Sequence, residues 1–109
     1  MRELEWWVKP EVFPYIRDHI KTLDVWPNNP ETSRVQVGDR LWINRQLFRD
    51  VIAVRLYDSF ATAVQREDFR KVWPPAISRE QLCQLWRGIY PARAEHNGVL
   101  VFQLGPVWQ

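Results

Sequence analysis

Lys21-Thr22-Leu23-Asp24-Val25-Trp26-Pro27 is the stretch on which the fold of this chain turns. Leu23 and Val25 alternate with Thr22, Asp24 and Trp26, a period of two that predicts a strand from about Thr22 to Trp26, closed by Pro27. If Leu23 and Val25 enter a core, the pleat sends Thr22, Asp24 and Trp26 to the opposite face, beside Lys21 where the preceding segment ends. That short run then gathers an ammonium, a hydroxyl, a carboxylate and a flat indole.

Working outward, similar patterns recur on both sides. Upstream, Leu4, Trp6 and Val8 alternate with Glu5, Trp7 and Lys9, which predicts a half-buried strand over residues 3–9. Pro10 then permits a helix start, and Val12, Phe13, Ile16 and Ile20 lie at helical spacing. Downstream, Asn28-Asn29-Pro30 is a turn and the polar run to Arg34 a flexible surface loop. Gly38-Asp39 opens a strand over residues 40–44 with Leu41 and Ile43 inward. A longer strand over residues 50–59 places Ile52, Val54 and Leu56 on one face and Ala53, Arg55 and Tyr57 on the other.

A helical segment follows near residues 60–69, limited by Pro74-Pro75. Ser78 with Gln81 forms a capping box for the clearest helix, whose stripe is Leu82, Leu85, Trp86 and Ile89 and whose end is Pro91. After the turn His96-Asn97-Gly98, a last strand runs over residues 99–104, with Pro106 as its stop. The order strand, helix, three strands, one or two helices, strand predicts a single α+β domain over residues 1–109. Its expected form is a small curled sheet or barrel with helices at its ends.

Composition narrows the function classes. With 46% hydrophobic and 26% charged residues, the 109-residue chain lies near the averages for globular domains, but its seven tryptophans exceed what a core of this size absorbs. Some should line a groove. Apolar runs fall far short of the ~20 residues that span a bilayer, and residues 1–5 lack the apolar centre of a signal peptide, so no membrane partner and a cytoplasmic setting are expected. Cys83 is the only cysteine, and it sits in a helical pattern that favours packing over nucleophilic chemistry. His19 and His96 are far apart and suggest no metal site, and no Gly-rich phosphate loop or other cofactor signal occurs. Net charge is only +2, yet of the fifteen basic residues only Lys9, Lys21 and Lys71 are lysine, leaving twelve arginines, the side chain whose planar fork grips phosphate and stacks on bases.

The order of elements, together with Lys21-Thr22-Leu23-Asp24-Val25-Trp26, Val37-Gly38-Asp39, Ile89-Tyr90-Pro91 and Gly98-Val99-Leu100, resembles the ASCH domain of the PUA-like superfamily over nearly the whole chain. The resemblance implies a small mixed β-barrel flanked by two or three helices, with a cleft for RNA or a modified nucleoside. Some members of that family are amidohydrolases acting on acylated cytidine such as N4-acetylcytidine, and a ribonuclease activity has been proposed for others. In the amidohydrolases the motif lysine, a hydroxyl residue three positions on and a glutamate before the last helix carry the chemistry. Lys21 matches the first; Asp24 replaces the hydroxyl, and Pro74-Pro75-Ala76 stands where the acid is expected.

Lys21, Thr22, Asp24, Trp26 and Tyr90 are therefore the candidate ligand-binding residues, and Lys21 is the catalytic candidate if the domain is an enzyme. Arg40 and Arg55 join them as part of an arginine rim with Arg34, Arg45, Arg49 and Arg93 that would follow phosphates. An indole stacks on a base, Asp24 accepts from an exocyclic amine, and Lys21 holds an oxygen. A neighbouring Asp24 raises the pKa of Lys21, so the pair reads as a binder rather than a base. A plainer reading has Asp24 neutralising Lys21 and Trp26 packed as core. Three function classes stay open: an RNA- or nucleoside-binding domain, an enzyme of the two kinds named, and a protein-interaction module using Trp6, Trp7 and Trp108 near the termini.

Overall fold

The structure, a computed structural model, describes the backbone of residues 2–108 and the side chains of residues 2–106. Five strands, β1 (Glu3–Trp6), β2 (Leu23–Pro27), β3 (Arg40–Ile43), β4 (Leu47–Tyr57) and β5 (Val99–Trp108), form one curled sheet in the order β1-β3-β4-β5-β2. Only β1 and β3 are parallel; the other neighbours run antiparallel. Four helices accompany them, α1 (Phe13–Arg17), α2 (Phe60–Arg66), α3 (Phe69–Val72) and α4 (Arg79–Ile89). The architecture is α+β with a mixed half-barrel. Among the described residues no helix is long and apolar enough to cross a membrane.

Two hydrophobic clusters lie on opposite faces of the sheet. Leu4, Trp6, Ile16, Leu41, Ile43, Val51, Leu100, Phe102 and Leu104 fill the face that carries α1. On the other, Leu23, Val99 and Val101 meet Phe60, Val64, Phe69, Val72, Leu82 and Trp86 from α2, α3 and α4. β5 thus alternates between the clusters, which explains why it reads as an almost unbroken apolar run. β2 is covered on both faces as well.

Several element ends differ from the sequence expectation. β1 stops at Trp6, where Asn44 takes over by accepting from Val8 N at 2.8 Å and donating to Val8 O at 3.0 Å. α1 ends at Arg17 because His19 turns to φ 58°, and Ile20, the expected last member of the apolar stripe, is left exposed. The run before Arg34 contains a 3-10 turn over Thr32–Arg34, pinned by the buried Thr32, whose Oγ1 donates to Pro27 O at 2.7 Å. β4 begins three residues earlier than expected and shifts register around Val51, so Ile52 and Leu56 fall on its exposed face. β5 continues beyond Pro106 because the register irregularity in β4 lies opposite it.

The remaining signals match closely. Ser78 Oγ accepts from Gln81 N at 3.0 Å, and Gly38 takes φ 93° before Asp39, which binds Gln36 N at 2.8 Å and Arg2 at 2.7 Å. Gly98 is required more strictly: at φ 87°, a Cβ there would lie 2.7 Å from Tyr57 O. Gly98→Ala is expected to lower stability by about 1–3 kcal/mol. Gly88→Ala on α4, where nothing lies within 4 Å, should raise it by about 0.5–1 kcal/mol. Urea midpoints of the two variants measure both.

Candidate functional site

Between β2 and α4 opens a cavity of about 570 Å³, within the usual range for small-molecule sites. Lys21, Asp24, Val25 and Trp26 supply one wall; Leu82, Leu85, Trp86, Ile89 and Tyr90 of α4 and its exit supply another. Val72 and Trp73 close one side, and Trp7, Val8 and Val12 form the lip from the segment after β1. The site is mostly apolar, with the aromatic rings of Trp7, Trp26, Phe60, Trp73, Trp86 and Tyr90 in its lining.

Asp24 is its polar centre. The carboxylate is buried, and its Oδ2 accepts from Trp26 Nε1 at 2.6 Å and from Trp6 Nε1 at 3.0 Å. Oδ1 faces the Lys21 ammonium at 3.7 Å, so the carboxylate is at once the acceptor of two indoles and the counter-ion of the lysine. Lys21 is equally buried: its Nζ donates to Leu23 O at 2.6 Å and Val72 O at 2.5 Å, tying α3 to β2. Two carbonyls and the carboxylate therefore account for its three protons. Burial pushes the Lys21 ammonium below its ordinary pKa; Asp24 acts in the opposite direction without cancelling it. The net direction is thus the reverse of the one expected from the Lys21–Asp24 pairing alone.

Two donors on residues of the cavity wall have no hydrogen-bond partner among the described residues. Trp86, stacked on Phe60 with centroids 4.1 Å apart and tilted against Tyr90 at 4.4 Å, holds the one buried side-chain N–H among the described residues that lacks an acceptor. Tyr90 Oη likewise has no hydrogen-bond partner among them. Burial, then the Asp24 charge, raises the Tyr90 pKa and keeps the phenol a donor. Trp26 and Trp73 are partly buried and braced by T-shaped contacts, Trp26 with Trp6 at 5.5 Å and Trp73 with Tyr15 at 5.3 Å.

Of the residues singled out from sequence, Lys21, Asp24, Trp26 and Tyr90 meet in this cavity, whereas Thr22, Arg40 and Arg55 do not line it. Thr22 spends its backbone on Lys71 O and Leu104 N. Arg40 pairs with Asp50 across β3 and β4, and Arg55 grips Glu67 through both carboxylate oxygens and reaches Gln103. The expected arginine rim dissolves further: Arg34 pairs with Glu31, Arg45 with Glu5, and Arg49 is fully buried. Trp7, Trp73 and Trp86 belong to the site but were not singled out for it. Their signal was the surplus of tryptophan and, on α4, the apolar stripe whose Leu85 and Ile89 remain exposed on the cavity wall.

A second polar device lies next to Lys21. Arg49 donates from Nε to Gly105 O at 2.5 Å and from NH1 to Ile16 O at 2.6 Å, and its NH2 approaches His19 Nδ1 at 2.5 Å. It caps the Ile16 carbonyl in the last turn of α1 from inside the fold. Desolvation draws its pKa down to about 10. Burial first, then Arg49 and Lys71, lowers the pKa of His19. The unfolded chain therefore binds the extra proton first, so stability should fall as pH drops below about 6.5, the ordinary histidine value. His19→Asn, which suits the left-handed backbone, should flatten that slope in urea titrations between neutral and mildly acidic pH.

No protein-family model and no curated protein matches the sequence. Solved structures do. The hypothetical protein PH0355, known from a crystal structure, shares 22% identity over 97% of this chain and 99% of its own, with a TM-score of 0.88. PF0455 from Pyrococcus furiosus, solved by NMR, shares 24% identity over 95% of this chain and 96% of its own, with a TM-score of 0.81. The ASCH protein of Zymomonas mobilis aligns at 18% identity and TM-score 0.67 over 96% of this chain and 68% of its own. This chain has the ASCH fold. Within the ASCH fold, Lys21 to Trp26 lead into and form most of β2, Val37-Gly38-Asp39 turns into β3, Ile89-Tyr90-Pro91 leaves α4, and Gly98 starts β5. Among the described residues the α-helices number four where two or three were expected, the additional one being the single-turn α3 before Pro74.

Proposed function

We propose that this ASCH domain binds RNA by taking up one unstacked base, or binds a modified nucleoside, in the cavity between β2 and α4. The reading is carried by one observation: the Asp24 carboxylate and the Tyr90 hydroxyl, which has no hydrogen-bond partner among the described residues, line a cavity walled by Trp7, Trp26 and Trp73. A nucleobase offers a planar face for the indoles and an edge carrying both amines and carbonyls for the polar groups. A ligand without a planar face satisfies at most the polar half of that pattern.

Titration with ribonucleosides and a short single-stranded RNA should quench tryptophan fluorescence. Stacking on an indole contributes roughly 1–3 kcal/mol per base, so Trp26→Ala should weaken RNA binding by roughly 5- to 150-fold. RNA binding indifferent to Trp26, or no binding at all, would remove this reading.

A catalytic role draws support from the depressed pKa of Lys21, since a general base near neutrality needs that shift. Against it, all three Lys21 protons point at protein acceptors, Asp24 occupies the hydroxyl position, and Pro74-Pro75-Ala76 offers no acid. Incubation with N4-acetylcytidine or RNA should yield no turnover that Lys21→Ala abolishes. The protein-interaction reading loses Trp6, which is buried with its N–H on Asp24; Trp7 is exposed, and the Trp108 side chain lies outside the described residues.

A further inference from the structure

We propose that the edge formed by His19 and Lys71 is a phosphate contact, over which the backbone of an RNA passes when one of its bases enters the cavity. The proposal rests on the base-binding reading above. Its starting point is a cation with no carboxylate partner among the described residues: Arg49 is fully buried and is met by the carbonyls of Ile16, Gly105 and Leu104 and by His19 Nδ1. Because Arg49 donates to Nδ1, the neutral ring carries its proton on Nε2, which makes that nitrogen a donor on an exposed residue.

Lys71, also exposed, borders the same region, since Lys71 O accepts from Thr22 N at 3.2 Å, and its charge acts on the His19 ring. The nearest acids by sequence are already occupied. Asp18 is bound by Arg17 at 3.0 and 3.2 Å, and Asp68 accepts from Arg70 N at 3.1 Å and forms no ion pair with Lys71. An ammonium, a ring N–H and a buried guanidinium therefore act together on the solvent at this edge, the composition that attracts a phosphate.

The edge adjoins the cavity through the chain itself. Val72 and Trp73, directly after Lys71, and Lys21, two residues after His19, all line it. Arg40 and Arg55 of the sheet are paired with acids, which removes them from this role, whereas Lys71 forms no ion pair among the described residues.

The test compares binding of a short mixed-sequence single-stranded RNA and of uncharged ribonucleosides to the intact chain and to the Lys71→Ala, His19→Asn and Trp26→Ala variants across a salt series. Lys71→Ala should weaken RNA binding several-fold and make the slope of log K against log salt shallower by about 0.7, while nucleoside binding stays unchanged. His19→Asn should weaken RNA binding with nucleoside binding intact. If neither variant alters RNA affinity or slope while Trp26→Ala still weakens it, the phosphate contact is overturned and the base-binding reading stands. If RNA binding depends on Lys71 but not on Trp26, the base-binding reading falls instead. Absence of RNA binding overturns both.

Discussion

Replacing Asp24 by Ala is expected to lower the unfolding free energy by roughly 3–5 kcal/mol, the cost of stranding a buried charge whose partner has been removed. Three groups depend on that one carboxylate: the Lys21 ammonium at 3.7 Å and the indole N–H groups of Trp6 and Trp26. Asp24→Asn, with its amide oxygen in the place of Oδ2, keeps the acceptor that both indoles share but not the charge facing Lys21, and should fall between Ala and the natural residue. A pH signature accompanies the loss. The folded-state pKa of Lys21 is already depressed by burial, and Asp24 is the group that raises it. Without Asp24 the depression deepens, so the variant should regain stability as pH rises from neutral toward the ordinary lysine value of about 10.4. Urea denaturation of Asp24→Ala at several pH values measures both effects, and a midpoint equal to that of the natural chain would show that the carboxylate holds nothing in place.

Arg49→Ala should cost a similar amount, on the order of 3–5 kcal/mol, by a different route. It empties the volume of the largest fully buried side chain and leaves the carbonyls of Ile16 and Gly105 without donors. Arg49→Lys restores a cation but cannot span both carbonyls with a planar fork, and should recover only part of the loss. His19 reports independently: with the guanidinium gone, its pKa should rise toward the ordinary value, which imidazole NMR shifts would follow. A His19 titration unmoved by Arg49→Ala would contradict the contact at Nδ1.

The sequence signals were strongest where one residue type decides the backbone. The Ser78 cap, the Gly38 and Gly98 turns, and the alternation of β2 and β5 were legible because each follows from local geometry. Leu85 and Ile89 were not separable from Leu82 and Trp86, since helical spacing marks an apolar stripe without saying which part meets the core and which a cavity. Arg49 shows a sharper limit. An arginine in a polar-looking run reads as surface, and only the meeting of α1, β4 and β5 creates the ring of carbonyls that lets it be buried. The same holds for Arg40 and Arg55, whose acidic partners come from neighbouring strands and helices rather than from adjacent positions. Lys21, Asp24 and Trp26 were found together because a single strand and its approach carry all three.

β5 sends Val99 and Val101 to one cluster and Leu100, Phe102 and Leu104 to the other, so neither layer can come away without stripping half of that strand's contacts. Loss of tertiary structure in this molecule should accordingly be all-or-none, with the helical layer and the half-barrel melting in one transition and their slowest-exchanging amides opening together.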